Sequence, residues 1–431
     1  MGIVLPDGIL GNPNYGYIRQ FISQKAEILG VIDMPADTFR PSTNTKTSVL
    51  FLRKRSSPSP GRLFVCHART CGHDKRGAPT ASDEVAEIPG RLRMLRGGRA
   101  KPSRLAMLME PGMIRNGILI PKYYNPEIGL ELEGYRKAGY DIVTLGELAD
   151  SGRISMENVK SLAKKDEPDE DSGQPGDVPF IRTSDIGNLE VMVDPPHCVG
   201  AEAYERIKER QGLRDGDILM VKDGTFLIGK TAMVTDLDTR VVVQGHFYRI
   251  RAKRGSDTPP HFLLGALNIE IVQREIESKS FTQSSITTLG SRWREVRIPI
   301  PKDPSEVGRI DALVQASVRE QRDAKRRLAS VRYGREAECL MGMKNRAALG
   351  NSGGGGGELW RRKPAALPGH SPACDQDSRA GTEMRPALRG KCPRMLKRQG
   401  SVGFAWMTGA GRAGSMLRPS WVPTCLPTRA A

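Results

Sequence analysis

Between Asp177 and Pro301, short apolar runs alternate with turns rich in Asp and Gly, and this stretch restricts the fold more than any other. Its blocks are Phe180 to Gly187 (FIRTSDIG), Gly216 to Thr225 (GDILMVKDGT) and Leu227 to Lys230 (LIGK). That alternation is the pattern of strands closed by tight turns. The stretch therefore predicts one β-rich module. Arg182, Thr183, Ser184, Lys222, Asp223 and Thr225 fall at the strand ends, where a scaffold presents side chains to a partner.

The blocks resemble, in the expected order, the target recognition domain of type I restriction-modification specificity subunits and of fused methyltransferase–specificity proteins. The residues that carry the resemblance are Ile181 to Ile186, Gly216 to Thr225 and Leu227 to Lys230. They continue with Gln244-Gly245-His246, Phe281-Thr282-Gln283 and Ile298-Pro299-Ile300-Pro301. The resemblance implies sequence-specific reading of double-stranded DNA. On that expectation Arg182, Thr183, Ser184, Lys222, Thr225, Lys230, Arg249, Arg292 and Arg294 are candidate DNA contacts. Phosphate contacts set register and base-edge contacts set sequence. Gln244 and Gln283 are candidate base readers, because a glutamine amide can bond adenine in a bidentate way. Asp217 and Asp223 are expected to be structural, and turn chemistry alone accounts for segments such as Asp223-Gly224-Thr225.

The formal net charge of +17 favours a polyanionic partner, nucleic acid first. The charge is uneven. Residues 335–431 hold 16 Lys and Arg against 6 Asp and Glu, so ten of the seventeen excess charges lie in that tail. Seven cysteines without a C-x-x-C pair argue for a reducing compartment and against a disulfide scaffold. There is no apolar run long enough to span a bilayer and no basic-then-apolar signal pattern at the start, which makes a cytoplasmic location the expectation.

The first segment, residues 1–99, reads as part of an α/β sheet. Gly2 to Pro6 has a buried-strand pattern, and Ile18, Phe21, Ile22, Ile28 and Leu29 fall on helical spacing. Val31 to Pro35, Thr47 to Leu52 and Leu63 to Cys66 read as further strands. A half-sheet of this kind keeps an open edge and an uncovered face. Here the residues resemble the end of the catalytic domain of adenine-N6 DNA methyltransferases of the type I modification-subunit kind. The matching residues are Val4 to Leu10 (VLPDGIL), Tyr17 to Arg19, Val31 to Pro35, Thr47 to Lys54 and Gly72 to Gly77, with Asp83-Glu84 after them.

The resemblance implies a seven-stranded sheet with helices on both faces, of which this is roughly the last third. It also implies S-adenosylmethionine as methyl donor in the intact family protein. That family holds the donor with an F-x-G-x-G turn and the flipped adenine with an Asn/Asp-Pro-Pro-aromatic loop. Neither motif occurs in the expected place, so the chain alone is not expected to bind the cofactor or to transfer a methyl group.

Three segments imitate these motifs out of context: Asn12-Pro13-Asn14-Tyr15, Asp194-Pro195-Pro196-His197 and Gly409 to Gly414. Cys66, His67, Cys71 and His73 could be read as zinc ligands, but four ligands within eight residues do not easily wrap a tetrahedron. A strand end and a turn that happen to contain them are the favoured reading, and no metal site is assigned. Arg55 to Gly61 reads as a surface loop.

Residues 100–176 form a connector. Ile118 to Pro126 reads as a short apolar strand and turn, a helical pattern follows near Leu145 to Leu148, and Lys164 to Gly176 reads as a charged linker. The recognition module then covers residues 177–303. Residues 304–334 form a helix with an apolar stripe at Val307, Ile310, Leu313, Val314 and Val318. That stripe would dock a methyltransferase or restriction subunit, or pack back on its own module. The tail, 335–431, lacks isoleucine and carries three of the four tryptophans without a core to receive them. It reads as disordered, and its sudden change of composition suggests out-of-frame translation.

The fold class expected is therefore α/β, the terminal part of a class I methyltransferase sheet. A mixed, β-rich recognition domain, a long helix and a disordered tail follow it. The function expected is that of a DNA-binding fragment of a restriction-modification adenine methyltransferase, with no catalytic or metal-ligating residue assigned. The alternative is a non-catalytic specificity protein that guides a separate methyltransferase.

Overall fold

The fold is described from a computed structural model. It covers residues 1–55, 61–167, 178–192, 197–224, 227–283 and 286–349. Contacts divide the chain into Met1–Gly353 and Gly354–Ala431, and the second unit lies outside the described residues.

The first sheet is built from β1 (Gly2–Pro6), β2 (Ala26–Asp33), β3 (Thr47–Lys54), β4 (Leu63–His67) and β5 (Ala106–Met109), in the order β1-β3-β2-β4-β5. Helices α1 (Asp7–Gly11), α2 (Gly16–Lys25) and α3 (Glu84–Arg96) accompany it. Only β2 and β4 run parallel, and the other pairings are antiparallel. The fifth strand comes from beyond residue 99, so the sheet draws on the connector.

Three expectations need correcting here. Strand β1 is not buried. It pairs only with β3 at the sheet edge, and Val4 is 50% exposed. The helical spacing read through Leu29 ends at Lys25, and Ile28 and Leu29 belong to β2. Apolar residues at i, i+3 and i+4 cannot reveal a helix that stops midway through the pattern. Ile118 to Ile120 is buried but is not a strand; the Leu119 N–H donates to the Leu10 carbonyl at 2.9 Å. Residues Pro121–Tyr124 then form a 3-10 turn.

After α4 (Pro126–Lys137) come β6 (Tyr140–Thr144), α5 (Leu145–Asp150) and β7 (Ile154–Asn158). Thr144 and Glu147 close a reciprocal capping box at the start of α5, which is why Leu145 to Leu148 turns helical. The recognition module follows as β8 (Val178–Ile181), β9 (Ile186–Gly187), β10 (Leu189–Val191), β11 (Cys198–Val199), α6 (Ala201–Gln211), β12 (Ile218–Val221), β13 (Asp223–Gly224) and β14 (Thr231–Met233). It continues with β15 (Val242–Val243), β16 (Phe247–Ala252), α7 (Pro260–Asn268), α8 (Glu270–Lys279), β17 (Phe281–Gln283), β18 (Ile286–Thr288) and β19 (Arg297–Pro301).

The larger sheet has the order β7-β16-β12-β14-β10-β9, and smaller ones are β11-β8-β15, β13-β18-β17 and β19-β6. Connector strands β6 and β7 are thus part of the same structure. The module is more helical than its turn pattern suggests. In α7, Phe262 to Leu267 is an apolar run buried on nearly every side, which periodicity alone cannot distinguish from a core strand.

Helix α9 runs Pro304–Leu349, fifteen residues past the expected end at 334. Val307, Val314 and Val318 are buried, and α9 packs along α7. The Phe262 N–H donates to Asp311 Oδ1 at 2.8 Å. Further on, Lys325 Nζ reaches Asp238 Oδ1 at 2.9 Å, a buried ion pair. The stripe therefore serves its own module along this length, while Leu313 and Leu328 stay exposed. The described fold is mixed α/β, with several sheets and a long helix after them.

Candidate DNA-reading edge

Backbone hydrogen bonds string the strand-end residues into a row. Strands β8 and β15 are parallel, with Ile181 opposite Val243, and the Gln244 N–H donates to the Ile181 carbonyl at 2.9 Å. Arg182 and Gln244 therefore leave the sheet side by side. Strands β12 and β16 are antiparallel, with Val221 opposite Phe247, and the Lys222 N–H donates to the His246 carbonyl at 2.9 Å. On the other side of β12 the Val221 N–H donates to the Lys230 carbonyl at 2.9 Å. The order is Arg182, Gln244, His246, Lys222 and Lys230. Polar side chains at the ends of adjacent strands suit a surface that follows an extended partner.

Local chemistry fixes the row. Asp185 Oδ2 accepts from the Arg182 N–H at 2.8 Å and closes the Thr183–Asp185 turn. The buried Gln211 amide donates to the Val243 carbonyl at 2.6 Å and to the Lys160 carbonyl at 2.8 Å, and its oxygen accepts from the Val243 N–H at 3.0 Å. A buried amide with three backbone partners pins the loop that carries Gln244. Gly245 lies against Ser161, so any Cβ there would collide with Ser161 Oγ. At the turn, Asp223 Oδ2 sits 3.4 Å from His246 Nδ1 and 3.7 Å from Lys222 Nζ.

The candidate side chains divide by their surroundings. Ser184, Lys230 and Arg294 are exposed, and Arg182, Thr183 and Gln244 are half-buried. Arg182 Nε is buried without a hydrogen-bond partner among the described residues. Lys222 Nζ donates to Asn158 Oδ1 at 2.8 Å and lies 5.7 Å from the Tyr248 ring centre. Arg249 is turned inward, donating to the Gln211 carbonyl, to the Gly212 carbonyl at 3.1 Å and to Glu157 at 2.8 Å. Arg292 is 6% exposed. It donates to the Lys279 carbonyl at 2.6 Å and the Thr288 carbonyl at 2.8 Å, and stacks 4.0 Å from the Phe281 ring centre. Its guanidinium is an internal tie, which corrects its reading as a DNA contact. Arg294 stands away from the row, paired with Asp150 at 2.6 Å. Thr225 lies outside the described residues, and so does the side chain of Gln283. His246 belongs to the row although it was quoted only as part of a motif; its place two residues after Gln244 was the available signal.

The first sheet carries a second polar cluster. Asp33 ends β2 and His67 ends β4, and His67 Nδ1 lies 2.8 Å from Asp33 Oδ2. Lys46 Nζ bonds Asp33 Oδ1 and the Met34 carbonyl, and Ser48 Oγ donates to Asp7 Oδ1 at 2.8 Å. Burial pushes the Asp33 carboxyl up, but Lys46 and His67 outweigh it and hold it well below the usual carboxylate range. Burial pushes the neighbouring Cys66 thiol up to about 12, so it stays protonated. Cys71 Sγ and His73 Nε2 are 3.5 Å apart. Among the described residues no group of His, Cys, Asp and Glu is arranged to hold a metal ion, and no helix is long and apolar enough to cross a membrane.

Residues 1–89 match the N-6 DNA methylase family. The methylase-matching segment thus contains β1 to β4 and the start of α3. The chain is similar to the solved structure of the type IIG restriction endonuclease BpuSI at 11% identity and a TM-score of 0.34, covering 73% of this chain and 42% of that one. It is similar to the type I restriction-modification methyltransferase subunit from Streptococcus thermophilus at 26% identity and a TM-score of 0.22, over 28% of this chain and 25% of that one. It is also similar to the HsdS subunit from Thermoanaerobacter tengcongensis at 12% identity and a TM-score of 0.26, over 76% and 91%. The chain therefore spans less than half of the endonuclease and a quarter of the methyltransferase subunit. No curated protein matches it.

Proposed function

We propose that this chain is the DNA-reading portion of a restriction-modification adenine-N6 methyltransferase. The observation that carries the reading is the row from Arg182 to Lys230, tied strand to strand by backbone bonds, in a chain whose first segment matches N-6 DNA methylases. Arg182 and Gln244 are the base readers in this account, one with a guanidinium fork and one with an amide. Lys230 and Lys222 grip phosphates, and His246 stands between the two groups. Ser184 and Thr183 add hydroxyl contacts at the end of the row.

In this reading methyl transfer relies on F-x-G-x-G and Asn/Asp-Pro-Pro-aromatic motifs, neither of which stands in its expected place in this sequence. The carboxyl ends of β2 and β4, where an α/β sheet takes a ligand, are closed by Asp33, Lys46 and His67, which satisfy one another. In this reading the ends of β2 and β4 are not the place that holds S-adenosylmethionine. Catalysis is supplied by methyltransferase residues outside this sequence, and the exposed Leu313 and Leu328 on α9 are the side chains available for a subunit contact. The test is selection of duplexes from a randomised library by the full chain. Enrichment of one sequence supports the reading, and retention proportional to input rejects it.

A further inference from the structure

Helix α3 and the segment that follows it carry four exposed cations without an ion-pair partner among the described residues. Its buried face is Ile88 and Leu95, packed with Phe64, Cys66 and Leu105 over the first sheet. On the outer side Arg93, Arg96 and Arg99 recur every third residue, and Lys101 follows. Arg93 and Arg96, three apart in the helix, are neighbours on one side of it, and like charges there repel. All four are exposed, and among the described residues none of them forms an ion pair. Their neighbours do: Arg91 lies 3.8 Å from Glu87, and Arg104 is bound to Glu84. The helix C-terminus favours positive charge and accounts for Arg93 and Arg96 in the last turn. It does not account for Arg99 and Lys101, which lie past the helix end at Gly97.

We propose that Arg93, Arg96, Arg99 and Lys101 form a sequence-independent contact with the phosphates of duplex DNA. Arginine and lysine displace condensed counterions from the backbone, so such a contact adds affinity without reading sequence. Duplex DNA as the partner rests on the function proposed above, but the grip itself does not depend on which residues read the bases. It lies on α3 and the segment after it, just past the methylase-matching residues 1–89, and shares no residue with the strand-end row.

The experiment compares the full chain with its R93Q/R96Q/R99Q/K101Q variant. Glutamine keeps a similar helix propensity while removing charge. Affinity for a mixed-sequence duplex is measured from about 50 to 200 mM salt, a range over which each phosphate contact contributes about 0.9 to the log–log slope. The expected result is a slope shallower by about 3.6, with sequence preference unchanged. The basic tail is common to both proteins and cancels in the comparison. Arg136→Gln, at an exposed arginine paired with Glu133, serves as control and leaves the slope in place. An unchanged slope in a variant that melts like the parent overturns the proposal, as does an equal change in the control. A shallower slope without any sequence preference keeps this contact and removes the reading role of the strand-end row.

Discussion

The Gln244 N–H donates to the Ile181 carbonyl at 2.9 Å, and this one bond sets Arg182 beside Gln244 at the end of two parallel strands. Residues 62 positions apart in sequence thereby become neighbours, which in the proposed reading address adjacent bases. Gln244→Ala should remove discrimination at one base position, by about 1–3 kcal/mol, while binding to other sequences holds. Lys230→Gln should weaken every duplex alike and lower the salt slope by about 0.9. Competition binding against a duplex library separates the two outcomes. Equal behaviour of both variants would mean that the row grips without reading.

Arg292→Ala tests the opposite assignment. The side chain ties the Lys279 and Thr288 carbonyls and stacks on Phe281. Its loss should cost about 2–4 kcal/mol in denaturant unfolding, since the buried Lys279 carbonyl and the part-buried Thr288 carbonyl lose a charged donor. Sequence preference of the folded variant should stay as in the parent. A variant of normal stability with altered preference would restore Arg292 as a DNA contact.

That case shows what the sequence could and could not reveal. Strands β3 and β4 were legible as apolar runs, and β12 because Ile218 to Val221 is bounded by turns rich in Gly and Asp. The module's order was legible from its motifs. Arginine type was not enough to separate Arg182 at a strand end from Arg249 and Arg292, because a guanidinium that bonds backbone carbonyls has the same sequence signature as one that meets phosphate. The buried helix α7 and the edge position of β1 also escaped, since both depend on neighbours far along the chain. Gln211 carried no local signal at all; its role exists only once Lys160 and Val243 are beside it.

Gly11 marks where the recognition module enters the first sheet's core. A Cβ there would lie 2.8 Å from Phe281 Cδ2 and 2.8 Å from Ile120 Cγ1. Phe281 is 1% exposed and belongs to the cluster of Leu10, Ile118 and Ile120. Gly11→Ala should destabilise the chain by about 1–3 kcal/mol through overpacking. Chemical denaturation reads the change, and Phe281→Leu should partly relieve it in the double variant. Additive effects of the two substitutions would argue against direct packing.

The Asp33 cluster gives the chain an acid limit. Its carboxyl is held below the ordinary value near 3.9, so its contribution to stability is present above about pH 4. The contribution is lost as pH falls toward the folded-state value. Asp7, raised by burial and by Asp33, titrates in the opposite sense, so single variants are compared. Asp33→Asn should cost about 3–5 kcal/mol at neutral pH, because Lys46 then keeps only the Asp7 carboxylate, 3.7 Å away, as an acidic partner. It should also flatten the acid side of the stability curve. A curve that keeps its acid limb in the variant would assign that limb to other carboxylates.

The central claim is that this chain reads DNA sequence through the Arg182–Lys230 row. The most direct measurement is repeated selection of randomised duplexes by the full chain, with a Gln244→Ala, Arg182→Ala variant in parallel. The account predicts one enriched motif for the parent, lost or degenerate in the variant, with comparable retention of total DNA. No enrichment by the parent, or the same motif from both proteins, would contradict it.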